Sequence, residues 1–207
     1  MSVLTKLSSS LGSKIQKANR DLAKQIVAKS DATAVKELVE NLENKNKNIH
    51  SDCIKVLYEI GEQKPELIAL YAKEFIELLN SKNNRLQWGA MTALDSIASL
   101  QPKIIYPALG KILDISKEGS VITRDHAVGI LIKLCSVKAY YEKAFSLLIG
   151  ELKTAPTNQL PMYAENAASI VTEKDKMLFI KTLLSRIADI ESDTKRRRVE
   201  KVIKKLS

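Results

Sequence analysis

The sequence repeats at an interval of 37 residues, and this period restricts the fold more than any other feature. Leu57, Leu94 and Leu131 recur at that spacing. Small residues form a second column with the same interval: Cys53, Ala90, Ala127 and Ala164. A single copy of such a unit cannot bury both of its faces, so neighbouring copies must stack and share one elongated core. The period therefore predicts a repeat solenoid and not a closed bundle.

Each period is predicted to contain two helices. The first helices are expected at 32–44, 65–80, 102–117, 139–153 and 174–190, and the second helices at 48–61, 84–99, 121–136, 161–172 and 194–206. Pro65 and Pro102 are also 37 residues apart, and each begins a first helix, where proline is tolerated because the first N–H groups lack helical partners. The polar connectors at 45–48 and 80–84 are rich in residues that cap helices.

The predicted organisation is one domain over residues 1–207. It comprises an N-terminal cap at 1–30 with a helix over 14–29, repeats at 31–190, and a basic C-terminal helix at 191–207. The composition, 45% hydrophobic and 28% charged, is typical of a globular protein. The sequence has neither an apolar run long enough to span a membrane nor an N-terminal secretory pattern, so the cytoplasm is the expected location.

One stretch resembles a known family. The run ELLN at 77–80, followed by SKNNRLQWGAMTALDSIA at 81–98, is similar to a HEAT repeat, in which the second of two antiparallel helices carries small residues before Leu and Ile. The basic residue that HEAT repeats carry early in the second helix is matched by Arg124, whereas His50, Gln87 and Pro161 depart from it.

This resemblance covers roughly residues 31–190. It implies an all-α, armadillo-like fold: a right-handed α–α superhelix of about five helix pairs with terminal capping helices. It also implies a protein-binding scaffold whose second helices line the concave face.

The outward face of the second helices is the predicted partner-binding surface. Its candidate residues are Asp52, Lys55, Tyr58, Trp88, Thr92, Asp95, Asp125, His126, Tyr163 and Asn166. Trp88 is the only tryptophan and lies off the apolar stripe of its helix, and aromatic residues amid polar groups are typical anchors for a partner. In the alternative interpretation, Trp88 and Tyr58 only cover the neighbouring helix.

The formal charge of +9 is concentrated at the two ends of the chain. Residues 1–36 and 193–207 each carry seven Lys or Arg against two Asp or Glu, which leaves the body close to neutral. The candidate nucleic-acid contacts are Lys195, Arg196, Arg197 and Arg198. A polar cap for the last repeat is the alternative role of these four residues.

Two functional hypotheses remain at this stage. The first is a non-catalytic scaffold for a protein or peptide. The second is a nucleic-acid-binding protein similar to the HEAT-like alkylpurine DNA glycosylases, with Trp88 and either Asp95 or Asp125 supplying the chemistry. The groove is expected to be more acidic than basic, which is the opposite of what phosphate binding requires. Its expected charged residues are Asp52, Glu59, Asp95 and Asp125 against Lys55 and Lys133.

No cofactor, metal or disulfide is expected. Cys53 and Cys135 occupy columns of small residues and have no neighbouring Cys/His cluster. Phosphate-binding glycine loops and nucleophile elbows are absent from the sequence, which disfavours an ordinary enzyme.

An acidic column marks the last turns of four first helices, where the helix dipole disfavours negative charge. Its members are Glu40, Glu77, Asp114 and Glu151. The column is interpreted either as solvated acids close to Lys36 and Lys73 or as a docking strip for a basic partner.

Overall fold

The computed structural model describes residues 2–12 and 16–207, and all regular elements within these ranges are helical. Short 3₁₀ turns accompany the α-helices. The α-helices are α1 (Lys17–Lys29), α2 (Ala32–Glu40), α3 (Lys47–Gln63), α4 (Ala72–Leu78), α5 (Asn84–Ile97), α6 (Pro102–Ile105), α7 (Leu109–Glu118), α8 (Val121–Cys135), α9 (Tyr141–Thr154), α10 (Leu160–Ala167), α11 (Lys176–Ile187) and α12 (Asp193–Leu206). The all-α prediction and the alternation of first and second helices are confirmed.

The helices form two compact units, residues 1–126 and 127–207, with the boundary inside α8. In the N-terminal unit, α3 packs against α1 and α5, while α2 packs on α3 and α4 packs on α5. Leu57 and Leu94 are fully buried, as the 37-residue period predicts. The first-helix residues Leu38, Phe75 and Ile112 are also fully buried, so both predicted columns of this unit belong to its core.

Two of the predicted first helices are interrupted. The segment 65–80 begins with 3₁₀ turns at Pro65–Leu67 and Ala69–Tyr71 before α4 starts. The segment 102–117 is divided into α6, a 3₁₀ turn at Tyr106–Ala108, and α7. Pro107 accounts for the second break, because it lacks an N–H donor and its ring obstructs the preceding helical turn. The prediction of continuous helices was wrong at both places.

Side-chain caps begin several helices at the predicted connectors. Asn46 Oδ1 accepts a 3.0 Å hydrogen bond from the Asn48 N–H, and Asn83 Oδ1 accepts one of 3.0 Å from the Arg85 N–H. These asparagines fix where α3 and α5 start, and therefore which of their residues face outward.

The N-terminal cap contains a helix, as predicted, and Leu22 and Ile26 form its buried stripe. The helix starts at Lys17, while Lys14 and Ile15 of the predicted 14–29 segment lie outside the described residues.

The C-terminal unit is closed by α12, which packs on α10 and α11 through the buried Val199 and Val202. Arg186 of α11 donates hydrogen bonds to the carbonyl groups of Leu152, Lys153 and Ala155 at 2.7–3.0 Å. Its cation thus satisfies the carbonyl groups at the end of α9, where the helix dipole favours positive charge.

Candidate functional site

An open cleft of about 480 Å³ lies along the second-helix side of the N-terminal unit, beside α1, α3 and α5. We call it the Trp88 cleft. Its lining residues are Gln16, Arg20, Ser51, Asp52, Ile54, Lys55, Tyr58, Arg85 and Trp88. Four of the residues predicted from the sequence thus lie together in one depression: Asp52, Lys55, Tyr58 and Trp88.

The aromatic part of the cleft is a pair of tilted rings. The ring centroids of Tyr58 and Trp88 lie 5.6 Å apart with an interplanar angle of 50°. Tyr58 is only 6% exposed and Trp88 is half-buried, so the expectation of an outward-facing Tyr58 was wrong. Burial raises the pKa of the Tyr58 hydroxyl. Tyr58 therefore supports the neighbouring helix, whereas Trp88 also lines the cleft.

A glycine allows α3 and α5 to approach closely beneath these rings. A Cβ atom at Gly89 would lie 2.7 Å from Ile54 Cγ1 and 3.5 Å from Tyr58 Cδ1. Only glycine fits here without displacing Ile54. The position of Trp88, the residue immediately before Gly89, therefore depends on this close contact.

Asp52 was predicted to face outward, but it is 4% exposed. Its carboxylate accepts hydrogen bonds of 2.7 Å from the Ser9 N–H and 2.7 Å from Asn19 Nδ2, and a longer one of 3.4 Å from Gln16 Nε2. The N-terminal segment and α1 fold over the first turns of α3 and supply these donors. Asp52 is therefore a structural residue that attaches the cap to the first repeat.

Thr92 was also wrongly expected on the surface. It is 4% exposed, and its hydroxyl donates to the Trp88 carbonyl at 2.9 Å. Seven residues beyond Trp88, Asp95 Oδ2 lies 2.8 Å from His126 Nδ1, and both side chains are half-buried. Asp125 is half-buried as well. The Asp95–His126 pair continues the second-helix surface beyond the cleft.

The two predicted site residues of the C-terminal unit differ in exposure. Tyr163 is 1% exposed and belongs to the core of that unit, because α12 packs against α10. Its predicted place on an outward surface was wrong. Asn166 is exposed, as expected.

Two arginines of the cleft were missed in the sequence analysis. Arg20 comes from α1 and Arg85 from the first turn of α5; both are exposed, and neither forms a salt bridge with any described residue. Arg85 could have been found, since it lies three residues before Trp88 and thus on the same face of one helix. The position of Arg20 depends on how α1 packs.

These arginines reverse the expected charge of the groove at this point. Asp52 is buried and saturated with donors, and Glu59 forms a salt bridge with Lys55. The Lys55 ammonium also lies 4.5 Å from the centroid of the Tyr58 ring. The acidic groove predicted from composition is therefore wrong for the Trp88 cleft, where Arg20 and Arg85 leave a positive balance.

The opposite charge is found in a second depression, of about 620 Å³, on the first-helix side of the same unit. We call it the acidic pocket. Its carboxylates are Glu40, Glu43, Glu74 and Glu77, and its apolar residues are Val39, Leu42, Leu78 and Leu86. Lys111 donates to the Ile76 carbonyl at 2.8 Å, which places one positive charge at the end of α4.

The acidic column does not form one uniform strip. Glu40 lies 3.8 Å from Lys36, and Asp114 lies 3.5 Å from Lys117, both as exposed pairs. Glu151 is only 7% exposed, in contrast to the other three members.

The basic residues of α12 mostly contact their own unit. Arg198 binds Glu165 through two contacts, Nε to Oε1 at 2.8 Å and Nη2 to Oε2 at 2.5 Å, and this pairing lowers the pKa of Glu165. Arg196 donates to the Ile190 carbonyl at 2.8 Å, and Lys195 donates to Asn158 Oδ1 at 2.5 Å. Arg197 is exposed. Two of the three arginines, Arg196 and Arg198, thus attach α12 to the unit.

Both cysteines are free and buried, as their columns predict. Burial raises the pKa of each thiol to about 12, with a further contribution from Asp52 at Cys53 and from Asp175 at Cys135. Within residues 2–12 and 16–207, no group of three or more His, Cys, Asp or Glu side chains could hold a metal ion. No helix of the described residues has the length and apolar character to cross a bilayer.

Neither a protein-family model nor a curated protein sequence matches this chain. Solved structures do match. A designed armadillo repeat protein in complex with peptide (KR)4 has a TM-score of 0.71 at 14% identity and covers 100% of both chains.

Computationally designed armadillo repeat proteins for modular peptide recognition match with a TM-score of 0.70 at 13% identity, covering 98% of this chain and 97% of the other. An engineered protein from a structural genomics consortium has a TM-score of 0.65 at 19% identity and covers 100% of this chain. The chain thus has an armadillo/HEAT-like repeat fold.

Proposed function

We propose that this protein is a non-catalytic scaffold that binds an extended segment of another protein through the Trp88 cleft. The observation that carries the proposal is the half-buried Trp88 at the edge of an open cleft in a repeat fold. Similar folds have been designed for modular peptide recognition. Their designed function makes a peptide a reasonable occupant here.

The cleft has the properties of a small anchoring pocket. Its volume of about 480 Å³ is within the usual range for ligand sites. Trp88 rests on Tyr58 and on the close α3–α5 contact at Gly89, so little side-chain entropy is lost when a partner packs on it. An aromatic anchor supported in this way favours binding by shape complementarity.

The arrangement around the cleft gives little support to catalysis. Asp52 is already saturated as a hydrogen-bond acceptor. His126 is oriented by Asp95, but no Ser, Thr or Cys of the described residues hydrogen-bonds to His126 as a nucleophile would. The glycosylase-like hypothesis needs Asp95 or Asp125 close to an extruded base, and the pairing of Asp95 with His126 weighs against it.

The test uses the only tryptophan of the chain as its reporter. A displayed library of random peptides is selected on the full-length protein, and the enriched peptides are titrated while Trp88 emission is recorded. We expect binding to change the emission maximum of the wild type. Because Trp88→Ala has no tryptophan, the affinity of each variant is measured by fluorescence anisotropy of the labelled peptides, and we expect binding to be lost in Trp88→Ala. Leu70→Ala is the matched control, because Leu70 is 65% exposed and lies outside the cleft. If the selected peptides bind Trp88→Ala as tightly as the wild type, the proposal is wrong.

A further inference from the structure

We infer that the Trp88 cleft takes an acidic peptide segment, in which carboxylates meet Arg20 and Arg85 while an apolar side chain packs on Trp88. The inference rests on the proposed scaffold function and specifies the chemistry of its partner. It depends on the positive charges of Arg20 and Arg85, which are left at the cleft once Lys55 is paired with Glu59.

The positive charge of the cleft is not neutralised within the protein. Arg20 and Arg85 are exposed on different helices, and neither forms a salt bridge with a described residue. Asp52 is the one acidic residue among the described lining residues; it is buried and holds the cap. Guanidinium groups bind carboxylates through two parallel hydrogen bonds, so two arginines on one cleft suit a segment with more than one acidic side chain.

The dipole of α5 adds to this preference. Arg85 lies in the first turn of α5. The partially positive N-terminal end of α5 therefore lies at the cleft, where a carboxylate is stabilised.

The partner segment also needs an apolar side chain, because the rings of Trp88 and Tyr58 form an apolar surface in the cleft. Trp88 and Ile54 line the cleft beside the arginines, and Tyr58 supports Trp88 from below. An apolar side chain of the partner would cover this surface, and the exclusion of water would strengthen the neighbouring charge pairs.

A nucleic acid fits the same charges less well. A phosphate backbone needs a continuous track of cations, whereas the described cations of the cleft are limited to Arg20, Arg85 and Lys55, and Lys55 is paired with Glu59. Arg196 and Arg198 of α12 bind their own unit, and no described residue of α12 lines the cleft. The cations are confined to a short part of the surface, and a peptide with a few acidic side chains matches them better than a long phosphate backbone does.

The experiment compares three labelled peptides by fluorescence anisotropy with the full-length protein at low and physiological salt. The peptides share one central Leu and differ in its flanks, which carry Asp, Asn or Lys. The (KR)4 peptide of the structurally similar designed protein serves as a further basic probe, and a single-stranded DNA of equal charge represents nucleic acid. The protein variants are Trp88→Ala, Arg20→Gln with Arg85→Gln, and Lys73→Gln with Lys103→Gln.

The lysine double variant is the matched control. Lys73 and Lys103 are exposed residues of α4 and α6, so their replacement changes the net charge by the same amount without touching the cleft. We expect the Asp peptide to bind at least about tenfold more tightly than the Asn peptide, as charge-assisted hydrogen bonds allow. The arginine double variant should remove this advantage and the lysine double variant should keep it. Salt should reduce the advantage as well.

The outcomes separate this inference from the proposed function. Equal binding of the Asp and Asn peptides, or tighter Trp88-dependent binding of a basic peptide, overturns the acidic partner and leaves the scaffold proposal intact. Tighter binding of the DNA that depends on Trp88 and both arginines overturns it in favour of nucleic acid. If no probe and no selected peptide depends on Trp88, both proposals fail. A shift of Trp88 emission on adding the Asp peptide to the wild type tests the contact without any variant.

Discussion

The Trp88 cleft and the acidic pocket, both in the N-terminal unit, have similar size and opposite charge, and they differ in how their carboxylates are held. In the Trp88 cleft the acidic lining residue, Asp52, is buried and accepts hydrogen bonds from Ser9 and Asn19. In the acidic pocket Glu40, Glu74 and Glu77 are exposed to solvent. Carboxylate groups therefore have a structural role on one side of the unit and set the surface charge on the other.

This difference shows that residue counts do not decide the sign of a binding surface. Asp52 keeps its charge, but burial and the hydrogen bonds from Ser9 and Asn19 keep its carboxylate from direct contact with a partner. Pairing with Lys55 weakens the field of Glu59. What a partner encounters is the remainder, which is Arg20 and Arg85 in the cleft and Glu43, Glu74 and Glu77 in the pocket, where Glu40 is paired with Lys36. Four predictions test how far the two sides differ.

The largest expected effect is on the buried carboxylate. Asp52→Ala should lower the free energy of unfolding by about 2–4 kcal/mol, because it leaves the buried donors of Ser9 and Asn19 without an acceptor. Asp52→Asn should cost less, since its amide oxygen still accepts one bond. Guanidinium denaturation measures both. Glu77→Ala in the acidic pocket is the control and should stay within about 0.5 kcal/mol of wild type. If Asp52→Ala and Glu77→Ala changed the free energy of unfolding equally, the two carboxylates would not differ in structural role.

The second effect concerns the packing beneath Trp88. Gly89→Ala should destabilise the fold by about 1–3 kcal/mol, because the new methyl group would lie 2.7 Å from Ile54 Cγ1 and force that side chain to move. The displacement should also change the emission of Trp88, which can be recorded on the folded variant. A variant with wild-type stability and emission would show that the α3–α5 contact is looser than described.

The third effect has the opposite sign and lies on a first helix. Gly110 is exposed in α7, and a Cβ atom there meets nothing within 4 Å. Gly110→Ala should therefore stabilise the protein by about 0.5–1 kcal/mol through helix propensity. Thermal denaturation of this variant beside Gly89→Ala compares an open site with a closed one. Destabilisation by Gly110→Ala would mean that an unidentified contact covers this face.

The smallest effect is expected at the acidic pocket. Glu74 and Glu77 are three residues apart on α4, and Glu77 lies close to the helix end that disfavours negative charge. Glu74 lies in the first turn, where negative charge is favoured, so only Glu77 is replaced. Glu77→Gln should raise the free energy of unfolding by a few tenths of a kcal/mol, about the size of like-charge repulsion on a helix. The gain should disappear at high salt, which screens exposed charges. A loss of stability would indicate that Glu77 has an internal partner.

Part of the candidate site follows from the sequence alone. The 37-residue period places Leu57 and Leu94 in the core, and Trp88 lies off the apolar stripe of the helix that carries Leu94. Arg85 was predictable in principle, because it lies one turn before Trp88. Pro107 was an available signal for the break between α6 and α7.

The sequence by itself determined the helix pairs, their caps at Asn46 and Asn83, and the buried columns, because these depend on neighbours within a few turns of one chain segment. Only the tertiary structure decided that Asp52 is buried and that Arg20 lines the cleft. Both depend on the N-terminal segment and α1 folding over α3, and this cap lies outside the repeat period. A periodic pattern predicts which residues face a neighbouring repeat, but it carries no information about a segment that is not itself a repeat.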